Sequence, residues 1–123
     1  MVTHDAQTLK GILSMLLLRV LSEGDDYGYS IVVRLQEYGF DGLMEGTVYP
    51  ALTRLEAKGY LTSRLVRSSS GPARKYYRPT ETGNAELARA TDAWSHLIFV
   101  VNQIMNQDSP AAVAAGDERK VTL

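Results

Sequence analysis

Apolar residues in the first half of the chain recur at intervals of three and four, which predicts helices before any strand begins. Asp26 is suited to cap the second of these helices, and Gly59 to end the third. Pro50 is tolerated only in the first turn of a helix, so it places the start of the third near Gly46 or Thr47. The predicted helices cover about residues 8–22, 27–38 and 47–58.

After the third helix the pattern changes to two short strand-like segments. They cover residues 60–66 and 75–78 and flank a Ser- and Gly-rich tip at 68–73, which predicts a β-hairpin. Pro79 is expected to end the second strand abruptly. The fold class is therefore mainly α with a small β-hairpin, the plan of a winged helix-turn-helix domain, over residues 1–79.

One long helix is predicted to follow the hairpin. No proline interrupts residues 80–107, and Thr80 is suited to cap this helix. At ~1.5 Å per residue the helix would extend ~40 Å, more than the diameter of a domain of ~80 residues. Its apolar residues recur every seven positions, the spacing of a coiled coil between two chains. We therefore expect residues 80–107 to be a dimerisation helix and 108–123 to be a mobile tail. The expected homodimer interface comprises Leu87, Ala90, Trp94, Leu97, Val101 and Ile104.

The composition excludes several classes of chemistry. The 123 residues include no cysteine and only two histidines, which excludes zinc ribbons, disulfide frameworks and cysteine catalysis and predicts neither a metal site nor a cofactor. The acidic turn at 23–26 lies beside a helix start, where negative charge is favoured for structural reasons, so no enzyme is expected. The apolar run 11–18 is too short to span a membrane, which takes ~20 residues, and lacks the flanks of a signal peptide. The sequence predicts a cytoplasmic protein.

The net charge of -1 conceals a strong separation of charge. Seven basic residues and one acidic residue lie between Arg54 and Arg78, a balance of +6, while the rest of the chain has six basic and 13 acidic residues, a balance of -7. The overall pI near 6.1 speaks against a nucleic-acid-binding domain, whose pI is often above ~9. The basic segment nevertheless covers most of the third helix and the hairpin, which in this fold plan approach the grooves and backbone of DNA. Double-stranded DNA is therefore the expected partner.

The third helix has two different faces. Val48, Leu52 and Leu55 form a narrow apolar stripe, whereas small residues and one guanidinium occupy the opposite side and favour close approach to a partner. Arg54 suits a phosphate or a guanine edge, and Thr53 suits a thymine methyl. The alternative is an ordinary helix surface on which Tyr49 is half-buried. The candidate DNA contacts are Tyr27, Thr47, Tyr49, Pro50, Thr53, Arg54, Lys58, Arg64, Arg67, Arg74 and Lys75.

Two features of these candidates stay open. Of Tyr27 and Tyr29, one is expected to contact a phosphate and the other to pack in the core, with Tyr27 preferred as the outward side chain. Alternation along a strand puts Arg74 and Lys75 on opposite faces. One or two of the hairpin cations are therefore expected to be solvated without touching DNA.

Trp94 lies at an interface position in the middle of the long helix. Two symmetry-related indoles either pack on each other or clamp a planar ligand. Met15, a residue type that adapts to varied shapes, and Ile98 would line such a ligand site. The sequence leaves both readings of Trp94 open.

Three segments resemble PadR-family transcriptional regulators in their order and spacing. They are YGYSI at 27–31, GTVYPALTRLEAKGYL at 46–61 and GPARKYYRPTETG at 71–83. The resemblance covers about residues 8–107, and the single final helix with Trp94 is similar to the small-member group. It implies a homodimer formed by the N- and C-terminal helices, repression of transcription, and a response to small aromatic or lipophilic compounds. Pro72 departs from the family pattern and stiffens the hairpin tip.

The resulting hypothesis is a homodimeric winged-helix repressor that binds a pseudo-palindromic operator and is released by a planar aromatic or lipophilic ligand at the dimer interface. The alternative is a winged-helix module for protein–protein interaction, whose basic segment binds an acidic partner instead of an operator.

Overall fold

The structure is a computed structural model and describes residues 4–107, so the tail predicted at 108–123 lies outside the described residues. The strands form one antiparallel sheet, in which the last strand of the chain lies between the other two. Four helices and a small sheet confirm the winged-helix plan. None of the described helices is long and apolar enough to cross a membrane. In chain order the elements are α1 (Ala6–Ser22), β1 (Asp26–Tyr27), α2 (Gly28–Glu37), α3 (Glu45–Ala57), β2 (Leu61–Ser68), β3 (Gly71–Pro79) and α4 (Glu81–Met105).

The described residues belong to two compact units, one ending at Thr91 and the other beginning at Asp92. The core of the first unit is built from the apolar stripes that the sequence predicts, and it leaves the opposite side of α3 exposed. Full burial of each such side chain contributes roughly 1.5–3 kcal/mol. The buried residues of α1, α2 and α3 include Leu13, Leu17, Leu18, Leu21, Ile31, Val32, Leu35, Val48, Leu52 and Leu55.

The second helix begins differently from the prediction. Tyr27 belongs to β1, and α2 starts at Gly28 with no side-chain bond at its cap. The predicted cap, Asp26, instead accepts hydrogen bonds from Ser30 Oγ at 2.8 Å and from Arg34 Nη1 at 3.1 Å. The prediction of a capping role was wrong because the Asp26 carboxylate binds side chains further along α2.

The third helix begins at Glu45, so Pro50 lies in its second turn and not in the first. The extra residues are helical because Thr47 N and Val48 N donate to the Met44 carbonyl at 3.0 and 2.9 Å, and Val48 is fully buried. The predicted start was therefore too late. Gly59 ends α3 with a φ of 81°, a left-handed conformation that favours glycine, as the sequence predicts.

The hairpin is longer and its tip shorter than predicted. Gly71 pairs with Ser68, so Pro72 belongs to β3, and only Ser69 and Ser70 form the turn. An irregularity between Val66 and Ser68 lets pairing continue past the predicted strand end. The prediction that β3 ends at Pro79 is confirmed. Strand β1 was not predicted, because its two residues are too few to show an alternating pattern.

Thr80 caps α4 as predicted. Its Oγ1 accepts a hydrogen bond from Gly83 N at 3.0 Å and donates one to the Gly59 carbonyl at 2.6 Å. The Thr80 N–H also donates to the Tyr60 carbonyl at 3.0 Å. The first turn of α4 is thus bonded to the turn that follows α3.

Candidate nucleic-acid interface

The outer face of α3 combines small, aromatic and cationic side chains. Tyr49 is 41% exposed, and Thr47 is half-buried at the start of the helix. Neither Arg54 nor Lys58 forms an ion pair with any residue in the range 4–107. Both cations are therefore free to bind an anion. The exposed residues of this face are Tyr49, Pro50, Thr53, Arg54, Ala57 and Lys58.

A groove of about 380 Å³ lies between the start of α2, α3 and β3. The Tyr49 ring crosses close to the backbone at Gly28, where an added Cβ would be 2.6 Å from Tyr49 Cε1. Burial raises the pKa of the Tyr49 hydroxyl, which, like an ordinary tyrosine, is protonated at neutral pH and can donate a hydrogen bond. The residues lining the groove are Tyr27, Gly28, Tyr29, Tyr49, Leu52, Arg74, Lys75 and Tyr77.

The prediction that Tyr27, and not Tyr29, is the outward side chain was wrong. Tyr29 is 57% exposed, whereas Tyr27 is half-buried. The reason is that Tyr27 pairs with Tyr76 across β1 and β3, so its ring lies against the sheet. Neither residue belongs to the buried core, and both line the groove.

Cations and aromatic rings alternate on one face of the sheet. The Arg74 guanidinium carbon lies 4.5 Å from the centroid of the Tyr27 ring, and the Arg64 guanidinium carbon lies 5.7 Å from that of Tyr76. Arg64 also binds the Asp25 carboxylate through Nη1 at 2.5 Å. The charge of Arg64 is therefore compensated, whereas that of Arg74 has no acidic partner among the described residues.

Lys75 projects from the opposite face, as strand alternation predicts. Its Nζ lies 3.0 Å from Glu56 Oε1, and the same carboxylate accepts a hydrogen bond from Ser63 Oγ at 2.5 Å. Glu56 thereby joins α3 to both long strands of the hairpin. Of the seven cations between residues 54 and 78, two are paired with acids. Within the described part of the chain, those without an acidic partner are Arg54, Lys58, Arg67, Arg74 and Arg78.

Acidification is expected to weaken the link at Glu56. Hydrogen bonds from Ser63 and Lys75 lower the pKa of the Glu56 carboxyl, so its stabilising effect is present above the unfolded value of ~4.3 and is lost as pH falls through the lower folded value. The pKa of Lys75 is raised by the hydrogen bond to Glu56, so the charge of Lys75 stays constant in this range. The difference in unfolding free energy between wild type and Glu56→Gln should therefore shrink below pH ~4.

Chemical denaturation at several pH values measures this difference. Glu37→Gln is the matched control, because Glu37 is exposed and forms no ion pair within residues 4–107. A Glu56→Gln deficit that is the same at pH 7 and pH 3 would contradict the assignment.

The candidate dimer and ligand residues lie in both units. Leu87, expected at a dimer interface, packs against the core of the first unit. Met15 is half-buried in α1, whereas Trp94 is half-buried and Ile98 is 37% exposed in the second unit. Ala90 is half-buried in the first unit. Leu97, Val101 and Ile104 are exposed.

Two side chains on the sheet face of Arg74 were missing from the sequence-based candidates. Tyr76 and Arg78 follow Arg74 at two-residue intervals and lie on the same sheet face. The alternation that separates Arg74 from Lys75 could have found both. Among residues 4–107, no group of three or more metal-ligating side chains is placed to hold a metal ion.

Comparison with known proteins identifies relatives over most of the chain. The sequence model of the family described as "Transcriptional regulator PadR-like family" matches residues 17–89 of this chain. Uncharacterized protein X from Lysinibacillus sphaericus is 30% identical over 99 residues, covering 79% of this chain and 91% of that protein. Transcriptional regulator Rv3488 from Mycobacterium tuberculosis is 35% identical over 81 residues, covering 66% of this chain and 74% of its own length.

Solved structures show the same similarity. A PadR-like transcriptional regulator from Bacillus cereus superposes with a TM-score of 0.77 at 33% identity, covering 84% of this chain and 100% of that one. PadR from Bacillus subtilis, solved in complex with operator DNA, gives a TM-score of 0.61 at 27% identity, covering 65% of this chain and 45% of that one.

Proposed function

Because this chain belongs to the PadR-like family of transcriptional regulators, we propose that it binds an operator as a homodimer and represses transcription from it. The members of this family are regulators and not enzymes. The observation that carries the proposal is the position of Arg54 and Lys58, which have no acidic partner among the described residues, on the exposed side of α3. In the PadR structure from Bacillus subtilis the protein is in complex with operator DNA.

In the proposed complex, α3 enters the major groove. Arg54 and Thr53 read base edges, while the groove tyrosines Tyr29 and Tyr49 donate to phosphates. Arg67 and Arg74 reach the backbone from the hairpin. Thr47, Pro50 and Lys58 complete the contact surface on α3, whereas Arg64 and Lys75 hold the hairpin in place through Asp25 and Glu56.

Residues 1–79 serve as the DNA-binding domain and residues 80–107 as the dimerisation helix. The exposed apolar side chains of Leu97, Val101 and Ile104 support this division, since they would be covered in a dimer. A two-fold symmetric dimer binds a pseudo-palindromic operator with half-sites about one helical turn apart, ~34–36 Å. Such a regulator acts where the chromosome is, which agrees with the cytoplasmic location expected from the sequence.

A mobility-shift titration against the DNA upstream of the protein's own gene tests this function. We expect a complex that survives excess competitor DNA at moderate salt, because specific contacts add to the electrostatic attraction. Equal affinity for operator and competitor would reject repression through an operator. Binding to an acidic protein partner in the absence of DNA would then favour the interaction-module alternative.

The proposed regulator is released by a planar aromatic or lipophilic ligand at Trp94, with Ile98, one turn further along α4, as a second contact. The ligand would act by shifting the population between two spacings of the α3 helices in the dimer. Since Trp94 is the one tryptophan in the chain, its fluorescence reports directly on this site. Emission that changes with planar aromatic compounds, in parallel with loss of the operator complex, is the expected result. A panel that leaves both unchanged would contradict ligand release.

A further inference from the structure

Arg74 is held on the sheet by an aromatic ring. Its guanidinium carbon lies 4.5 Å from the centroid of the Tyr27 ring, within the range of a cation–π interaction. The Tyr27 ring is in turn braced by the Tyr76 ring, whose centroid is 5.3 Å away. The pairing of Tyr27 with Tyr76 across β1 and β3 makes Arg74, two residues before Tyr76, the diagonal neighbour of Tyr27. The sheet register therefore fixes this stack.

Arg74 differs from Arg64, the other hairpin arginine that is stacked on a tyrosine ring. Arg64 is stacked on Tyr76, but its charge is compensated by Asp25. Arg74 has no acidic partner within residues 4–107 and lines the groove that Tyr49 of α3 also lines. It thus combines a charge without an acidic partner in that range, a stacked guanidinium and a place in the groove that α3 lines.

We propose that Tyr27 is a positioning residue whose ring orients the Arg74 guanidinium for a phosphate of the DNA backbone. The Tyr27 hydroxyl is not itself needed. This inference rests on the proposed function, because it assigns one phosphate contact within it. An arginine that is already stacked loses less side-chain freedom on binding than a freely rotating one, so part of the ordering is complete before DNA arrives. The planar guanidinium can then make paired hydrogen bonds to phosphate oxygens.

The test is a double-mutant cycle in the full chain. The variants are Tyr27→Phe, which keeps the ring, Tyr27→Leu, which removes it, Arg74→Ala, and the combination of the last two. Affinity is measured against salt concentration on the operator and on a nonspecific duplex, and thermal unfolding is recorded for each variant. Tyr38→Leu is the matched control, because Tyr38 is 69% exposed at the other end of α2.

Arg74→Ala should weaken binding roughly tenfold at low salt and lower the magnitude of the salt slope by about 0.9, the value for one phosphate contact. Tyr27→Leu should lower the slope by nearly as much, and the double variant should bind no more weakly than Arg74→Ala. Tyr27→Phe and Tyr38→Leu should stay within about twofold of wild type, since neither changes the stack. Should Tyr27→Leu fail to fold, Tyr27→Met removes the ring while keeping apolar bulk.

A Tyr27→Phe variant as weak as Tyr27→Leu would overturn the inference in favour of a direct contact by the hydroxyl. Independent, additive losses in the double variant would overturn it as well. A Tyr27→Leu variant with a lower unfolding temperature and an unchanged salt slope would also overturn it, in favour of a purely structural role of Tyr27. Because phosphate contacts do not depend on base sequence, the cycle can be read on the nonspecific duplex. If the wild type binds operator and nonspecific duplex equally well, the proposed function is rejected, and the cycle still tests the inference on Tyr27.

Discussion

Replacing Gly83 with alanine is expected to lower the free energy of unfolding by about 3 kcal/mol, the upper end of the range for overpacked positions. An added Cβ would overlap the Tyr60 carbonyl oxygen and would lie 2.9 Å from its carbonyl carbon. Backbone atoms cannot rotate aside as the end of a side chain can, so α4 itself has to move. For a domain of this size the loss corresponds to a fall in unfolding temperature of about 10–20 °C.

The displacement would also break hydrogen bonds at the start of α4. The Tyr60 carbonyl accepts from Thr80 N, and Thr80 Oγ1 donates to the Gly59 carbonyl. These bonds require the first turn of α4 to lie directly against the turn after α3. A helix pushed away by the new methyl group cannot keep them.

Thermal unfolding followed by circular dichroism measures the effect. Gly11→Ala is the matched control, since Gly11 lies exposed inside α1 and an added Cβ there meets no atom within 4 Å. Alanine in a helix interior is favoured over glycine, so this variant should gain about 0.5–1 kcal/mol. If Gly83→Ala unfolds at the same temperature as the wild type, α4 does not pack on Tyr60 in solution.

Replacing Arg54 with alanine is expected to weaken operator binding about 10- to 100-fold, or about 1–3 kcal/mol, the range for one bidentate contact to a base. Arg54 is exposed on α3 and has no acidic partner among the described residues, so no internal ion pair has to break before it binds. Nonspecific DNA should be affected less, because base readout contributes little there. Arg54→Lys keeps the charge but not the planar fork and should recover only part of the affinity.

Arg19→Ala is the control for a general loss of positive charge. Its side chain is 64% exposed at the end of α1 and pairs with Glu23, outside the basic segment. Fluorescence anisotropy with labelled operator and nonspecific duplexes compares the variants. Equal losses on both duplexes, with a smaller salt slope, would place Arg54 on a phosphate and not on a base. Unchanged operator affinity would remove Arg54 from the interface.

Local pattern predicted the regular elements of the fold well. The apolar stripe of Val48, Leu52 and Leu55 is buried, and α4 begins at its predicted cap. Errors occurred where a distant partner decided the outcome. Asp26 binds Arg34 instead of capping α2, and Tyr27 forms a two-residue strand because β3 lies beside it.

In the candidate site, too, the sequence predicted the features that depend on local pattern and missed those that depend on distant partners. The sequence identified the exposed face of α3 and the separation of charge, since both follow from residue types at known spacing. It did not identify which hairpin cations are compensated. Arg64 binds Asp25, a residue 39 positions away, and Lys75 binds Glu56 on a different element. Spacing along the chain carries no information on such pairs.

The sequence by itself determined that the chain has three short helices, a hairpin and a long final helix, and that its positive charge lies on the third helix and the hairpin. Periodicity and residue type determine these features because they act over a few residues. Only the tertiary structure decided that Arg74 stacks on Tyr27, that Glu56 links α3 to the hairpin, and that Gly83 must lack a side chain. These contacts depend on how separate elements pack, and packing brings together residues whose distance along the chain gives no sign of it.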